Sequence, residues 1–138
     1  MAIPQPTRMP QAAYDLVQSA SRSITEASVA ETVTQRYAHA YIAALRAAAA
    51  VLAARARPTR GRPRSVWLLL PKVAPDLTEW AIFFSSCSAK RIAAEAGSRT
   101  AVSARDADDL LRDANSFLAL VADQLGVHYQ APLHPVGV

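Results

Sequence analysis

Residues 26–56 read EASVAETVTQRYAHAYIAALRAAAAVLAARA and contain neither glycine nor proline. Apolar residues recur along this stretch at steps of three and four, the spacing that gathers side chains on one face of an α-helix. The residues on this face are Val29, Val33, Tyr37, Ala40, Tyr41, Ala44, Ala48, Val51 and Leu52. We therefore predict one long amphipathic helix over residues 27–56, around which the rest of the chain is organised.

The opposite face of this helix is lined by small side chains, namely Ala43, Ala47, Ala50 and Ala53. Small side chains let two helices approach closely, because the distance between helix axes depends on the residues at the contact. The pattern predicts a helix that is central to the fold or shared with a second subunit.

The longest apolar run, residues 37–54, has the length of a membrane-spanning helix. It carries His39 and Arg46 near its middle and consists mainly of alanine, so its insertion into a bilayer would be weakly driven. We expect no interaction with a membrane.

The composition favours an all-α protein. The chain has 138 residues, 51% of them hydrophobic, with 7% aromatic residues and four glycines. This length suits one domain, and alanine supplies much of the hydrophobic share. The single cysteine, Cys87, excludes an internal disulfide, and the N-terminus does not resemble a signal peptide, so we expect a cytoplasmic protein.

The remaining helices follow from periodicity and from their start and stop signals. A flexible segment, residues 1–10, precedes a first helix from Gln11, and a break at residues 25–28 folds it back on the long helix. Ser65 caps a short helix that ends at Leu70, before Pro71. The sequence thus predicts a helical hairpin followed by a short third helix.

Two further helices complete the predicted bundle. One starts at the D-x-x-E pair of Asp76 and Glu79, runs to about Ala96 and has an apolar pattern wide enough for burial on two sides. The last starts at a capping box of Ser103 with Asp106 and ends at Gly126. Together these elements predict an up-and-down bundle of about four long helices and one short helix over residues 11–126, followed by a tail at residues 127–138.

The segment of residues 55–64 reads RARPTRGRPR and is predicted to be an exposed loop. Its five arginines contribute +5 to the formal net charge of +4. The rest of the chain therefore has a formal net charge of 4 − 5 = −1. Flexible arginines bind successive phosphates of RNA or DNA in a salt-sensitive way, and the lack of interleaved aromatics argues against base stacking. The alternative is a solvated loop near the acidic start of the last helix. The candidate binding residues are Arg55, Arg57, Arg60, Arg62 and Arg64.

Three segments together resemble a small actinobacterial branch of the HEPN domain family over residues 11–126. They are RYAHAYIAALRAAAAVLAARA, SVWLLLPKVAPDLTEWAIFF and SARDADDLLRDANSFLALV, with the arginine-rich segment between the first two. HEPN domains, named for nucleotide binding in higher eukaryotes and prokaryotes, are helical bundles, commonly dimeric, and many are metal-independent ribonucleases or RNA-binding modules. The resemblance therefore implies a homodimer and contact with RNA or a nucleotide.

The ribonuclease signature of that family is an arginine followed, after four to six residues, by a histidine. Such a pair lets the histidine transfer protons while the arginine holds the scissile phosphate. Here the required positions hold Thr32, Val33 and Thr34 before His39, Val121, Ala122 and Asp123 before His128, and Val127, His128 and Tyr129 before His134. The signature is absent, so we expect no enzymatic activity.

The nearest substitute lies on the long helix, where Arg36, His39 and Arg46 form a possible polar site. An α-helix places His39 and Arg46 within about 20° of each other, opposite the core face. This arrangement fits a phosphate or RNA site, but the pattern favours the alternative, a partly exposed polar face without chemistry. Cys87 without a neighbouring histidine fits a small core residue, and no cluster supports a metal or another cofactor.

Three functions remain open on the sequence alone. The first is a non-catalytic nucleic-acid or nucleotide-binding accessory protein that uses the arginine-rich segment. The second is a dimeric protein-interaction or regulatory module, with an unknown protein partner, that uses the small face of the long helix. The third is a divergent metal-independent ribonuclease that uses Arg36 and His39.

Overall fold

The computed structural model describes residues 9–56, 65–98 and 100–130. These ranges contain five α-helices and no strand. The α-helices are α1 (Gln11–Ser28), α2 (Val33–Arg55), α3 (Val66–Val73), α4 (Thr78–Glu95) and α5 (Ala104–Leu125), with a 3-10 turn at Pro75–Leu77. The prediction of an all-α helical bundle is confirmed.

The long central helix starts later than predicted. Thr32 has an extended backbone, and its hydroxyl accepts a hydrogen bond from the backbone N–H of Gln35 at 3.1 Å, which caps α2. Residues 27 and 28, which were predicted to start the long helix, belong to α1 instead. Val29, predicted to face the core, lies in the connection and is 73% exposed.

The small face of α2 packs inside the same chain. Ala43, Ala47 and Ala50 have no exposed surface, and Arg46, beside them on the helix, donates a hydrogen bond to Ser23 of α1 at 2.7 Å. Because α1 covers this face, it is not open to a second subunit. The prediction of a central helix is correct, whereas the alternative that places a partner on this face is wrong.

The apolar character of α2 is explained by this central position. The helix has 23 residues and reaches a mean hydropathy of 1.3 over its most apolar window, values that also suit a membrane span. Half of that window is buried within the bundle. A core helix of a globular domain can have the same composition because neighbouring helices cover much of its surface.

The helix directions follow from contacts between their ends. Arg36 at the start of α2 pairs with Asp108 at the start of α5, so these two helices run the same way. Gln124 at the end of α5 donates to Asp76, which precedes α4, and Lys90 of α4 pairs with the first turn of α5. The helices α1, α2, α4 and α5 therefore alternate in direction.

The short helix α3 is longer than predicted. The hydroxyl of Ser65 caps it as expected, but the helix continues through Pro71 to Val73. Proline removes only the hydrogen bond of its own nitrogen, and the next turn closes when Ala74 N–H donates to the Leu70 carbonyl at 2.9 Å. Pro71 therefore does not end the helix.

The start of α4 also differs from the prediction. Asp76 does not cap the helix but lies in the 3-10 turn, where its carboxylate accepts the hydrogen bond from Gln124 at 2.7 Å. The predicted end is correct, because Gly97 has φ of 94° and Ser98 N–H closes the helix on the Ala93 carbonyl.

The prediction that α4 is buried on two sides is wrong. Phe84 is fully buried against the other helices, while Ile82 is 66% exposed and Ile92 is 60% exposed. The wide apolar pattern of the sequence therefore reports one core face and a second apolar face that is open to solvent.

The last helix matches its prediction closely. Ser103 and Asp106 form the reciprocal capping box, with hydrogen bonds of 3.0 and 3.1 Å between side chains and backbone N–H groups. Gly126 ends the helix with φ of 69°. The apolar stripe of α5 packs on α2, with Phe117 and Leu118 fully buried.

An aromatic cluster fills the space between α2, α3, α4 and α5. Trp67 stacks on Phe84 with ring centroids 5.3 Å apart, and Phe117 packs against both rings. The indole N–H of Trp67 donates to the hydroxyl of Tyr41 at 2.9 Å, which satisfies a buried donor. This cluster fixes α3 against α2, and thereby the far end of the arginine-rich segment.

Candidate nucleic-acid interface

The arginine-rich segment joins two well-defined helix ends. Arg55 is the last residue of α2 and is exposed, and Ser65 is the N-cap of α3. Eight residues separate Ala56 from Ser65. Of the five predicted binding residues, Arg57, Arg60, Arg62 and Arg64 lie outside the described residues. The scaffold that carries the segment is thus defined, with one of its arginines at the solvent-exposed end of α2.

Several basic residues of the bundle are engaged in ion pairs. Their distances are 2.6 Å for Arg36 with Asp108, 3.4 Å for Lys90 with Asp106, 3.1 Å for Arg91 with Glu95 and 3.4 Å for Arg112 with Asp109. Neighbouring opposite charges weaken the field that a distant polyanion meets. The positive potential expected of this chain therefore originates mainly in residues 55–64.

The three polar residues of α2 do not form one site. Arg36 turns towards α5 and pairs with Asp108, whereas Nδ1 of His39 lies 3.1 Å from Glu26 of α1. Arg46 donates to the hydroxyl of Ser23, also on α1. Each of the three side chains therefore contacts a different residue of a neighbouring helix.

Arg46 in particular takes part in helix packing. Besides Ser23, it reaches the Ser19 carbonyl at 3.5 Å, so its guanidinium lies between α1 and α2. The side chain of Ser23 is 1% exposed. One nitrogen of this guanidinium thus satisfies oxygen atoms of α1 and contributes to the packing of the two helices.

A cleft of about 300 Å³ between α4 and α5 was not anticipated from the sequence. Tyr37 of α2 lines it, with Phe83, Cys87 and Lys90 on one side and the aspartates of α5 on the other. These residues come from three helices that are distant in sequence, so no local motif could have indicated the cleft. The nearest signal in the sequence is the cluster of aspartates in the first turns of α5, but acidic residues are common there because the helix dipole favours negative charge.

Burial sets the chemistry of the two inner groups of this cleft. The hydroxyl of Tyr37 donates to the Cys87 carbonyl at 3.4 Å. Burial, followed by the effect of the Cys87 side chain, raises the pKa of Tyr37 well above the ordinary value for tyrosine. Burial also raises the pKa of the Cys87 thiol. A thiol with a raised pKa is a poor nucleophile, which agrees with the prediction that Cys87 is a core residue.

The acidic wall of the cleft begins at the capping box of α5. The backbone N–H of Ser103 donates to the carboxylate of Asp106 and holds its pKa below the ordinary value, and Lys90 acts in the same direction. Asp106 thus stays ionised in a structural role at the helix start, where the helix dipole also favours negative charge.

The described residues contain no group of three or more histidine, cysteine, aspartate or glutamate side chains that could hold a metal ion. Of the histidines, His39 contacts Glu26, and His128 is exposed just after α5. His134 lies outside the described residues. Arg36 and His39, three residues apart on α2, contact Asp108 of α5 and Glu26 of α1, respectively.

The family model for SAV_6107-like HEPN domains matches residues 27–122, which span α2 to the last turn of α5. No curated protein and no solved structure matches the chain.

Proposed function

The chain belongs to the SAV_6107-like HEPN family, and on this premise we propose that it is a non-catalytic domain that binds nucleic acid through residues 55–64. One observation carries the proposal. Five of the 15 lysines and arginines fall within ten consecutive residues, and the remainder of the chain has a formal charge of −1. Such segregation of charge is typical of surfaces that bind polyanions.

The side chains of the segment favour contacts with phosphates over contacts with bases. Each guanidinium offers paired N–H donors that match two phosphate oxygens, and a cation that neutralises a phosphate also releases counterions. Residues 55–64 contain no aromatic side chain and hence no platform for base stacking. We therefore propose a ligand contacted along its backbone, RNA or DNA, with little preference for sequence.

The absence of catalysis is part of the proposal. The sequence has no arginine at the required distance before any histidine. The geometry of the nearest substitute supports the same conclusion, since Arg36 pairs with α5 and His39 with α1. Proton transfer and phosphate binding would need these two groups to face one substrate atom.

The proposal is tested by fluorescence anisotropy with labelled single-stranded RNA and duplex DNA at about 50 mM salt, a concentration at which phosphate contacts remain strong. The test variant replaces three arginines of the segment with glutamine: Arg57, Arg60 and Arg62. The matched control removes three charges elsewhere, at positions on α1, α3 and α5 that are exposed: Arg22, Lys72 and Arg105. We expect the first variant to lose at least tenfold in affinity and the control to change less than threefold. Equal losses would reject the segment as the contact surface.

A second function is favoured by a separate observation. The side chains of Leu68, Ile82 and Ile92 are 68%, 66% and 60% exposed, which is unusual for large apolar residues of one small bundle. A protein-interaction module is therefore the alternative, and it predicts a stable complex that is indifferent to nucleic acid. The same anisotropy experiment separates the two, because an interaction module gives no signal with either labelled ligand.

A further inference from the structure

A second depression adjoins the cleft between α4 and α5. It has a volume of about 360 Å³ and is lined by two aromatic and two acidic side chains, Trp80, Phe83, Glu79 and Asp113. Phe83 of α4 and Asp113 of α5 also line the cleft, so the two cavities share a wall on each helix. We call the cleft and the depression together the α4–α5 groove.

The aromatic wall of the groove is fixed by the core beneath it. Trp80 stacks on Phe84 with ring centroids 5.8 Å apart, and Phe83 packs edge-on against the same ring at 5.1 Å. Phe84 has no exposed surface, whereas Phe83 is 39% exposed. An aromatic ring that stays accessible attracts cations to its face and also packs against alkyl chains. This wall therefore suits an organic cation.

The groove has the opposite sign of charge to the chain as a whole. Its lining contains four carboxylates and two cations, a formal charge of −2, whereas the chain has a net charge of +4. The charged lining residues are Glu79, Asp106, Asp109, Asp113, Lys90 and Arg112. Both charged residues of the depression are acidic. A cationic ligand is therefore favoured along the whole groove.

The cations of the groove leave part of its negative charge available. Arg112 lies 3.4 Å from Asp109 and 3.6 Å from Asp113, but its side chain is 66% exposed, so both ion pairs are weak. Among the residues that the structure describes, Glu79 forms no ion pair. A cation in the depression would give Glu79 a partner and Asp113 a second one.

We propose that the α4–α5 groove binds a small organic dication, a linear alkyl diamine. One ammonium group lies between Glu79 and Asp113, and the alkyl chain packs on Phe83. The second ammonium group lies at Asp109, one helical turn or about 6 Å from Asp113 along α5. Two positive charges match the formal charge of −2, whereas a single lysine or arginine side chain of another protein would leave one carboxylate end unmatched. This inference does not depend on the proposed binding of nucleic acid.

The first test is a titration of the full chain with putrescine, a linear alkyl diamine, followed by the NMR shifts of backbone and indole N–H groups. It extends to about 10 mM at constant ionic strength, because exposed ion pairs contribute little each. We expect saturable shifts confined to α4 and the first half of α5, with the indole N–H of Trp80 among them. Butylamine, which has one ammonium group, should bind at least fivefold more weakly, and magnesium chloride should not reproduce the shifts. Absence of saturable shifts, equal affinity for butylamine, or the same shifts with magnesium would overturn the proposal.

The second test assigns the binding to the groove. The double variant Glu79→Gln, Asp113→Asn removes two charges with little change of shape and should raise the dissociation constant for putrescine at least tenfold. The matched control, Asp15→Asn with Glu31→Gln, removes the same charges at exposed positions outside the groove and should change it less than twofold. Phe83→Leu keeps an apolar side chain without the ring and should weaken binding at least threefold. Circular dichroism verifies that every variant is folded. Equal effects of the two double variants would overturn the proposal.

Discussion

The guanidinium of Arg46 donates a 2.7 Å hydrogen bond to the hydroxyl of Ser23 and so joins the middle of α2 to α1. Ser23 is the one buried polar side chain among the described residues, at 1% exposure. The contact assigns Arg46 a part in the packing of α1 on α2.

Replacement of Arg46 with glutamine should therefore affect stability and leave ligand binding unchanged. The change removes a charge-assisted hydrogen bond to a buried hydroxyl, which should lower the free energy of unfolding by about 1–3 kcal/mol. Urea denaturation measures this, with Arg22→Gln at an exposed position of α1 as the control. Loss of RNA binding without loss of stability would return Arg46 to a functional site.

The small face of α2 should not tolerate a larger residue. Ala47 has no exposed surface in the single chain, so Ala47→Leu forces extra atoms between α1 and α2 and should cost about 1–3 kcal/mol of unfolding free energy. The exposed Ala119 provides the matched control, for which Ala119→Leu should stay within about 0.5 kcal/mol of wild type. If both variants were equally stable, this face of α2 would have to be open to solvent.

Much of the fold could be predicted because its signals are local. The capping box of Ser103 and Asp106 and the terminating glycines Gly97 and Gly126 each act within a few residues, and each appears where expected. The boundary of α2 was misplaced because Val29 continues the apolar period across a connection, while the cap that decides the boundary is a single threonine, Thr32. Periodicity is a weaker signal than capping at a helix end.

The candidate sites were harder to predict because their geometry depends on distant partners. Arg36 and Asp108 are 72 residues apart, and nothing local to Arg36 indicates that its guanidinium turns to α5 rather than to solvent. The exposed side of α4 was predicted wrongly because the spacing of apolar residues does not show what a helix face contacts. Apolar residues such as Ile82 and Ile92 have the same spacing whether they face the core or the solvent.

The buried hydrogen bond between Trp67 and Tyr41 should contribute measurably to stability. Tyr41→Phe removes the acceptor and leaves the indole N–H without a partner, at a cost of about 1–3 kcal/mol. Thermal unfolding followed by tryptophan fluorescence reports the change directly. Tyr14→Phe, at a residue that is 46% exposed, should have little effect, and an equally small effect of Tyr41→Phe would contradict the role assigned to the bond.

Stability should fall at alkaline pH because of one buried tyrosine, Tyr37, and one partly buried tyrosine, Tyr129. Burial raises the pKa of Tyr129 to about 12, and the pKa of Tyr37 is raised as well. Above pH 10 the unfolded chain loses these phenolic protons while the folded chain keeps them, so the unfolded state binds fewer protons and stability decreases as pH rises.

The corresponding measurement is the melting temperature between pH 8 and pH 11.5, a range that crosses the ordinary tyrosine pKa of about 10. The variant Tyr37→Phe, Tyr129→Phe should show a shallower decline above pH 10 than wild type, although it loses the hydrogen bond of Tyr129 to Asn115 at every pH. Parallel curves for the two proteins would show that neither tyrosine controls the alkaline limit.

The dependence of RNA affinity on salt tests the central claim most directly. If all five arginines of residues 55–64 contact phosphates of single-stranded RNA, the slope of log K against log salt should be about −3.5, a loss of roughly a hundredfold between 50 and 200 mM. The variant with Arg55, Arg57, Arg60, Arg62 and Arg64 replaced by glutamine should bind weakly with a slope near zero. A wild-type protein that fails to bind at 50 mM salt, or a variant that keeps the wild-type slope, would contradict nucleic-acid binding through this segment.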